Sequence, residues 1–181
     1  MVGETFERQI KLKRGMGMGL LTDILKGKGK SLLAPVDGEL IPLNQLEDET
    51  YANGLLGEGM AFHMKSGTIL APADGVVTLI MHTGHAMCIK TEQGAEIILH
   101  VGLGVPPGNG FPIEIFVEPN QVVEAGDVIM QIDLEKLIEA GAQPVLPMVI
   151  PNPERFTITE LTEEITVTAG TPVLQVRSNV K

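Results

Sequence analysis

The sequence predicts an all-β fold, an antiparallel β-sandwich or barrel made of two duplicated halves, with one short helix in the body and a mobile N-terminal tail. Three observations carry this. Leu33-Ala34-Pro35-Val36-Asp37-Gly38 returns as Leu70-Ala71-Pro72-Ala73-Asp74-Gly75, 37 residues later. In each copy Pro fixes φ and Asp-Gly supplies a tight turn before an apolar strand, Glu39-Leu40-Ile41 or Val76 to Ile80. A second echo pairs Val123-Glu124-Ala125-Gly126-Asp127-Val128-Ile129 with Val167-Thr168-Ala169-Gly170-Thr171-Pro172-Val173. Two kinds of repeated β-turn unit point to duplicated halves. The third observation is a hairpin between Met81 and Gly104. Met87-Cys88-Ile89 and Ile97-Ile98-Leu99 are apolar runs of strand length around a turn at Glu92-Gln93-Gly94, and each strand ends at a histidine, His85 or His100.

Taken in order, residues 1–30 read as a flexible, partly basic tail, with six glycines and seven basic against three acidic residues. Within it Leu20, Leu21, Ile24 and Leu25 form one helical face beside Lys26, Lys28 and Lys30, so residues 20–26 suit at most a peripheral contact with anionic lipid. Residues 31–181 read as a single β domain. Asn53 to Phe62 is a glycine-rich turn feeding a strand, expected to lie against the histidine hairpin. Asp133 can cap a helix over Leu134 to Ala140 that stops at Gly141, and this is expected to be the sole helix of the body. Prolines 106, 107, 112 and 119 break the segment after His100 into loop and short edge strands.

Composition excludes several classes. The net charge of −10 and the +4 balance of residues 1–30 leave −14 for residues 31–181, which argues against a nucleic-acid surface on the body and suits a basic partner protein. No tryptophan, one tyrosine and five phenylalanines argue against base stacking, and equally against a free sugar as direct ligand. There is no apolar run of spanning length and no signal-peptide pattern, and the lone Cys88 has no partner for an internal disulfide, which together favour the cytoplasm.

Facing residues of an antiparallel pair have a constant index sum. A two-residue loop at Glu92-Gln93 makes that sum 185 and sets His85 directly opposite His100, Cβ atoms on the order of 5 Å apart. A Gln93-Gly94 loop makes them diagonal neighbours on one face. A three-residue loop puts them on opposite faces. If the rings meet, three readings are open: phosphoryl transfer with one imidazole as acceptor and the other as donor to the phosphoryl oxygens, metal binding, or a satisfied polar pair at a strand end. Thr83 is two residues before His85 and on its face of the strand, with a hydroxyl to orient an imidazole or a phosphoryl oxygen. No G-x-x-x-x-G-K-[ST] loop is present, so the phosphoryl donor is expected to be another protein and not a nucleotide. For zinc, His82 joins His85 and His100 as a tempting third ligand, but three residues apart on a strand is the wrong parity. His63 reads as an ordinary strand residue, and Cys88, an odd number of residues from His85, as pointing away from it.

The ordered series A-P-x-D-G (34–38 and 71–75), L-G-E-G-M-A (56–61), T-G-H-A-M (83–87), E-I-I-L-H-V-G-L (96–103), G-N-G-F (108–111), G-D-V-I (126–129) and P-M-V-I-P-N (147–152) resembles the glucose-class enzyme IIA of the bacterial phosphoenolpyruvate:sugar phosphotransferase system, from about Leu32 to Arg177. The resemblance implies a duplicated hybrid motif, and a phosphotransferase component in which His100 accepts a phosphoryl group from the phosphohistidine of the small histidine phosphocarrier protein. It passes the group to the IIB domain of a sugar permease, the sugar being bound by other domains. His85 matches the family's phosphoryl-stabilising histidine and Thr83 its hydrogen-bonding threonine. The family's apolar docking ring maps to Tyr51, Leu55, Met81, Met87 and Ile98. No cofactor is implied beyond the phosphohistidine intermediate, although His85 and His100 suit an adventitious or interface-bridging zinc. Regulated metabolic or transport proteins are further partners the family implies. Gly104 stands where the family usually has an aspartate, a role Asp48 or Glu49 can partly take over, and Lys90 alters the local charge. Two alternatives remain at this point: a zinc-dependent hydrolase on a related β scaffold, and a phosphorylation-dependent regulator without a transport role.

Overall fold

The computed structural model describes residues 30–104 and 112–179. The expected tail apart from Lys30, its 20–26 segment and the 108–111 motif lie outside these residues; Lys30, assigned to the tail, instead begins the first strand. The strands are, in chain order, β1 (Lys30–Leu33), β2 (Gly38–Pro42), β3 (Glu58–Met64), β4 (Thr68–Leu70), β5 (Gly75–Ile80), β6 (Ala86–Lys90), β7 (Glu96–His100), β8 (Ile113–Ile115), β9 (Val122–Val123), β10 (Val128–Ile132), β11 (Val145–Ile150), β12 (Phe156–Glu160), β13 (Thr166–Val167) and β14 (Pro172–Ser178). Helix α1 spans Glu49–Ala52 and helix α2 spans Leu134–Glu139. One sheet has eight strands in the order β13-β2-β3-β11-β7-β6-β5-β9; two three-stranded sheets run β1-β14-β12 and β4-β10-β8.

The repeats hold the halves together in matched fashion. The two A-P-x-D-G copies bond to each other, Leu33 N–H to the Pro72 carbonyl at 2.8 Å and Leu70 N–H to the Pro35 carbonyl at 2.7 Å. Each copy then meets one A-G turn: Asp37 accepts from Ala169 N–H at 2.8 Å, and Asp74 from Ala125 N–H at 2.9 Å. Below them, β13 pairs with β2 and β9 with β5 at the two ends of the long sheet. The all-β sandwich of duplicated halves is the fold observed.

Alternation along the strands sends Met60, Phe62, Met87, Ile89, Ile97, Leu99, Leu146 and Met148 to one buried core. The β6–β7 register is Ala86 opposite His100, Met87 opposite Leu99 and so on to Lys90 opposite Glu96. This is the three-residue loop, closed by Thr91 N–H to the Ala95 carbonyl at 2.8 Å, with Gly94 at φ +84°. The core sets this register. A one-residue slip would turn one strand's pair, Met87 and Ile89 or Ile97 and Leu99, out of the interior, a loss on the order of 3–6 kcal/mol, far beyond any preference of a loop.

Two expectations need correction. Helix α2 forms as expected, with Asp133 accepting from Lys136 N–H and Gly141 at φ +86°, but it is not the sole helix. A single turn, α1, forms after Asp48, whose carboxylate accepts from Thr50 N–H at 2.8 Å; four residues are too few for helical periodicity to register in the sequence. The glycine-rich segment feeds β3, but β11 stands between β3 and the hairpin. Gly59 permits that pairing, because a Cβ there would sit 2.1 Å from the Met148 carbonyl oxygen.

Candidate active site

His100 ends β7 on the face turned away from the main core, beside Ile98 and opposite Ala86. On this outer face α1 and the residues before it form a roof. Leu46 and Tyr51 are buried with Ala61, Leu103, Val145 and Val149 in a second apolar cluster, with Ile41, Leu43, Leu56 and Ile98 packed around it. Small or branched side chains on β3 and β11 leave the depth that the tyrosine ring fills. Tyr51, only 3% exposed, thereby brings its hydroxyl onto Nδ1 of His100, with the ring centroids 5.8 Å apart.

His85 arrives differently. In the observed register Val101 N–H bonds the His85 carbonyl at 2.7 Å, so by strict alternation the His85 ring belongs with the buried Val101 side chain, away from His100. The parity expectation therefore fails, and yet the two rings meet, centroids 4.9 Å apart and tilted by 57°. Alternation is a property of extended backbone, and His85 lies just before β6, outside it. There the chain makes a tight turn, Met81 N–H to the Ala86 carbonyl at 2.9 Å and Gly84 N–H to the Met81 carbonyl at 2.8 Å, with Gly84 at φ +76°. A residue freed from the pleat by a left-handed glycine need not obey the pleat. Thr83 lies in the same turn, its Oγ1 hydrogen-bonded to Nδ1 of His85.

Both rings are thus engaged at Nδ1 by a hydroxyl, which leaves Nε2 of each as the nitrogen those hydroxyls do not hold. Burial, the neighbouring His85 and, in opposition, the Asp48 carboxylate combine to bring the His100 pKa down to about 4. Burial lowers that of His85 as well. Both imidazoles are consequently neutral at pH 7, which is the state with a lone pair to give. Burial also raises the Tyr51 phenol, which stays protonated.

Of the five residues expected to ring the site for docking, Leu55 and Met81 are exposed and Ile98 is partly exposed. Met87 is neither, being 1% exposed and part of the main core, because β6 turns it inward with Ile89. Tyr51 is buried beneath α1 against the second apolar cluster, its hydroxyl on the His100 ring. Leu79, 53% exposed, is a further apolar side chain at the surface that the sequence does not single out. A register shift between Val77 and Leu79 carries β5 from a buried residue to an exposed one with the same index parity, and sets Leu79 opposite Cys88, itself opposite Ile98. Cys88 accordingly shares the His100 face, a correction to the expectation that it points away; burial raises its pKa, so it is an inert thiol. His82 lies exposed in the turn and His63 exposed on β3. Among the described residues no group of three or more His, Cys, Asp or Glu side chains is placed to hold a metal ion, so a hydrolytic zinc centre lacks a ligand set among them. None of their helices is long and apolar enough to cross a membrane.

Residues 30–156 match the family described as phosphoenolpyruvate-dependent sugar phosphotransferase system, EIIA 1. The chain is 32% identical to a PTS system glucose-specific EIIA component of Bacillus anthracis, over 91% of its own length and 97% of that protein. It is 37% identical to a PTS system glucose-specific EIICBA component of Staphylococcus saprophyticus over 68% of the chain, but it spans only 18% of that longer relative. Among solved structures, the glucose permease IIA from Mycoplasma capricolum superposes with a TM-score of 0.74 at 34% identity, covering 81% of this chain and 95% of that one. The family match, the likeness over nearly the full length to a glucose-specific EIIA component and the shared sandwich agree with the paired imidazoles, and the chain belongs to the EIIA 1 family of the sugar phosphotransferase system, as a phosphoryl-carrying component of such a system.

Proposed function

We propose that His100 is the phosphoryl acceptor and that Nε2 is the atom phosphorylated. The observation that carries this reading is the pair of imidazoles 4.9 Å apart on the open face of the sheet, each tied back at Nδ1. In the step, the Nε2 lone pair of neutral His100 forms a bond to phosphorus as the donor's N–P bond breaks, and the bonding pair leaves with the donor's imidazole nitrogen. Thr83 O–H donates to Nδ1 of His85, which keeps the His85 hydrogen on Nε2, where it donates to a phosphoryl oxygen. His85 thereby steadies charge without carrying the group. No cofactor is required by this scheme, and a zinc on His85 and His100 would need further ligands from a partner.

The donor is the phosphohistidine of a small histidine phosphocarrier protein and the recipient a permease IIB domain. Both dock on the apolar surface of Leu55, Leu79, Met81 and Ile98, in the cytoplasm. Gly104, at φ +91° with open space around it, offers no acid to a basic partner. Asp48, whose carboxylate is felt at His100, is the nearer candidate for that role.

Labelling with phosphoenolpyruvate and the general phosphotransferase proteins tests the acceptor. The wild type is expected to gain an acid-labile, base-stable phosphate and His100→Gln to gain none; undiminished labelling of His100→Gln sinks the assignment.

A further inference from the structure

Tyr51 is the chain's one tyrosine, and its hydroxyl is buried against the His100 ring by a roof that the fold goes to some length to build. The roof needs Asp48 to start α1, the tight β3–β11 pairing at Gly59, and a floor of Ala61, Val145 and Val149. The contact can be made in two ways. If Tyr51 O–H donates, His100 Nδ1 is the acceptor and the ring hydrogen sits on Nε2, which then has no lone pair for phosphorus. If His100 Nδ1–H donates to the phenol oxygen, the lone pair is on Nε2, directed away from the tyrosine.

We propose that Tyr51 is a positioning residue for His100, its oxygen accepting the Nδ1–H and so selecting the nucleophilic tautomer. This inference rests on the reading of His100 as acceptor. The same contact matters after transfer. Once Nε2 is bonded to phosphorus and Nδ1 keeps its hydrogen, the ring carries positive charge, and the Nδ1–H to phenol bond becomes charge-assisted and stronger. Tyr51 and Thr83 hence play opposite parts: one accepts from its histidine to free Nε2 of His100 for attack, the other donates to its histidine to keep a hydrogen on Nε2 of His85. Two rings of one chemical type are set in different tautomers by the hydroxyl behind each.

Long-range ¹H–¹⁵N spectra of histidine-labelled protein near pH 7 read the tautomers directly. Wild-type His100 is expected as the Nδ1–H form, whereas Tyr51→Phe, which keeps the ring and its packing, shifts His100 substantially toward Nε2–H and leaves His85 unchanged. Phosphoryl uptake in Tyr51→Phe falls roughly tenfold or more, the usual scale for losing a hydrogen bond to a charged group. An unaltered His100 tautomer in Tyr51→Phe overturns the proposal. Because no other tyrosine is present, growth on 3-fluorotyrosine labels this position alone without touching the backbone. A ¹⁹F shift on phosphorylation is expected, and its absence counts against the proposal even if Tyr51→Phe folds poorly. Continued labelling of His100→Gln would instead overturn the acceptor assignment, and leaves the tautomer result on the free protein to be judged separately.

Discussion

His100 ends a regular strand and is backed by a tyrosine 49 residues away in sequence, whereas His85 sits in a turn and is backed by a threonine two residues away. The strand histidine is the more deeply buried and the more strongly depressed in basicity. The contrast separates two ways of placing one functional group. Tertiary packing fixes His100, so its position depends on the core, on α1 and on the roof together. A short turn fixes His85, so its position depends on Gly84, on the Thr83 hydroxyl at its ring and on the Val101 N–H at its carbonyl. On the proposed assignment, the group that becomes the covalent carrier is held by the fold, and the group that follows the phosphate through transfer is held by a local device.

The sharpest way to break this comparison is to remove the turn histidine. His85→Ala should still be labelled at His100, since the nucleophile and its tyrosine are intact. Onward transfer to an accepting IIB domain should drop by about 10²- to 10³-fold, the scale for losing one donor to a developing charge. Stopped-time transfer of ³²P from labelled protein measures both halves. Equal loss of uptake and of onward transfer would make the two histidines interchangeable, against the division of labour proposed.

A smaller effect tests the burial difference. For His100 the folded pKa of about 4 lies below the ordinary 6.5, so the unfolded chain binds the extra proton between those values. Stability is then fully present above about pH 6.5 and is lost as the pH falls toward 4, by about 3 kcal/mol for a shift of this size. His85 acts in the same direction with a smaller share. Urea unfolding of His100→Gln should show a markedly flatter decline between pH 6.5 and 4 than the wild type, and His85→Gln only a slightly flatter one. Equal flattening would mean that the two rings are equally buried.

How much was legible in the sequence follows the same division of near from far. The repeated A-P-x-D-G and A-G turns carried the duplicated sandwich, since turn chemistry is local and the copies pair with each other in space. The chain of hairpin, Thr83 and two histidines was readable for the same reason. Even there parity is the wrong condition: the loop has three residues, and His85 reaches His100 because it lies outside the strand. Leu79 was hidden by a register shift that no pattern of residues announced, and Met87 was assigned to the surface although alternation with Ile89 turns it inward. Tyr51 enters the expected docking ring only through the family resemblance, which says nothing of a bond to His100. Its bond to His100 depends on a single helical turn packed over a distant sheet, and nothing within a few residues of Tyr51 encodes that.

The smallest predicted effect isolates the start of that turn. Asp48 does two things at once, capping α1 through Thr50 N–H and raising the basicity of His100 by its charge. Asn keeps the cap and discards the charge, and Ala discards both. Asp48→Asn should leave stability within a few tenths of a kcal/mol of wild type and move the His100 titration, followed by its ring proton shifts, to lower pH. Asp48→Ala should make that same move and in addition cost about 1 kcal/mol, with the Tyr51 contact loosened because the turn carrying it is frayed. If the two variants are equally stable, the cap does not hold α1 in place, and the placement of Tyr51 over His100 must come from the apolar cluster of Leu46, Ala61, Val145 and Val149 alone.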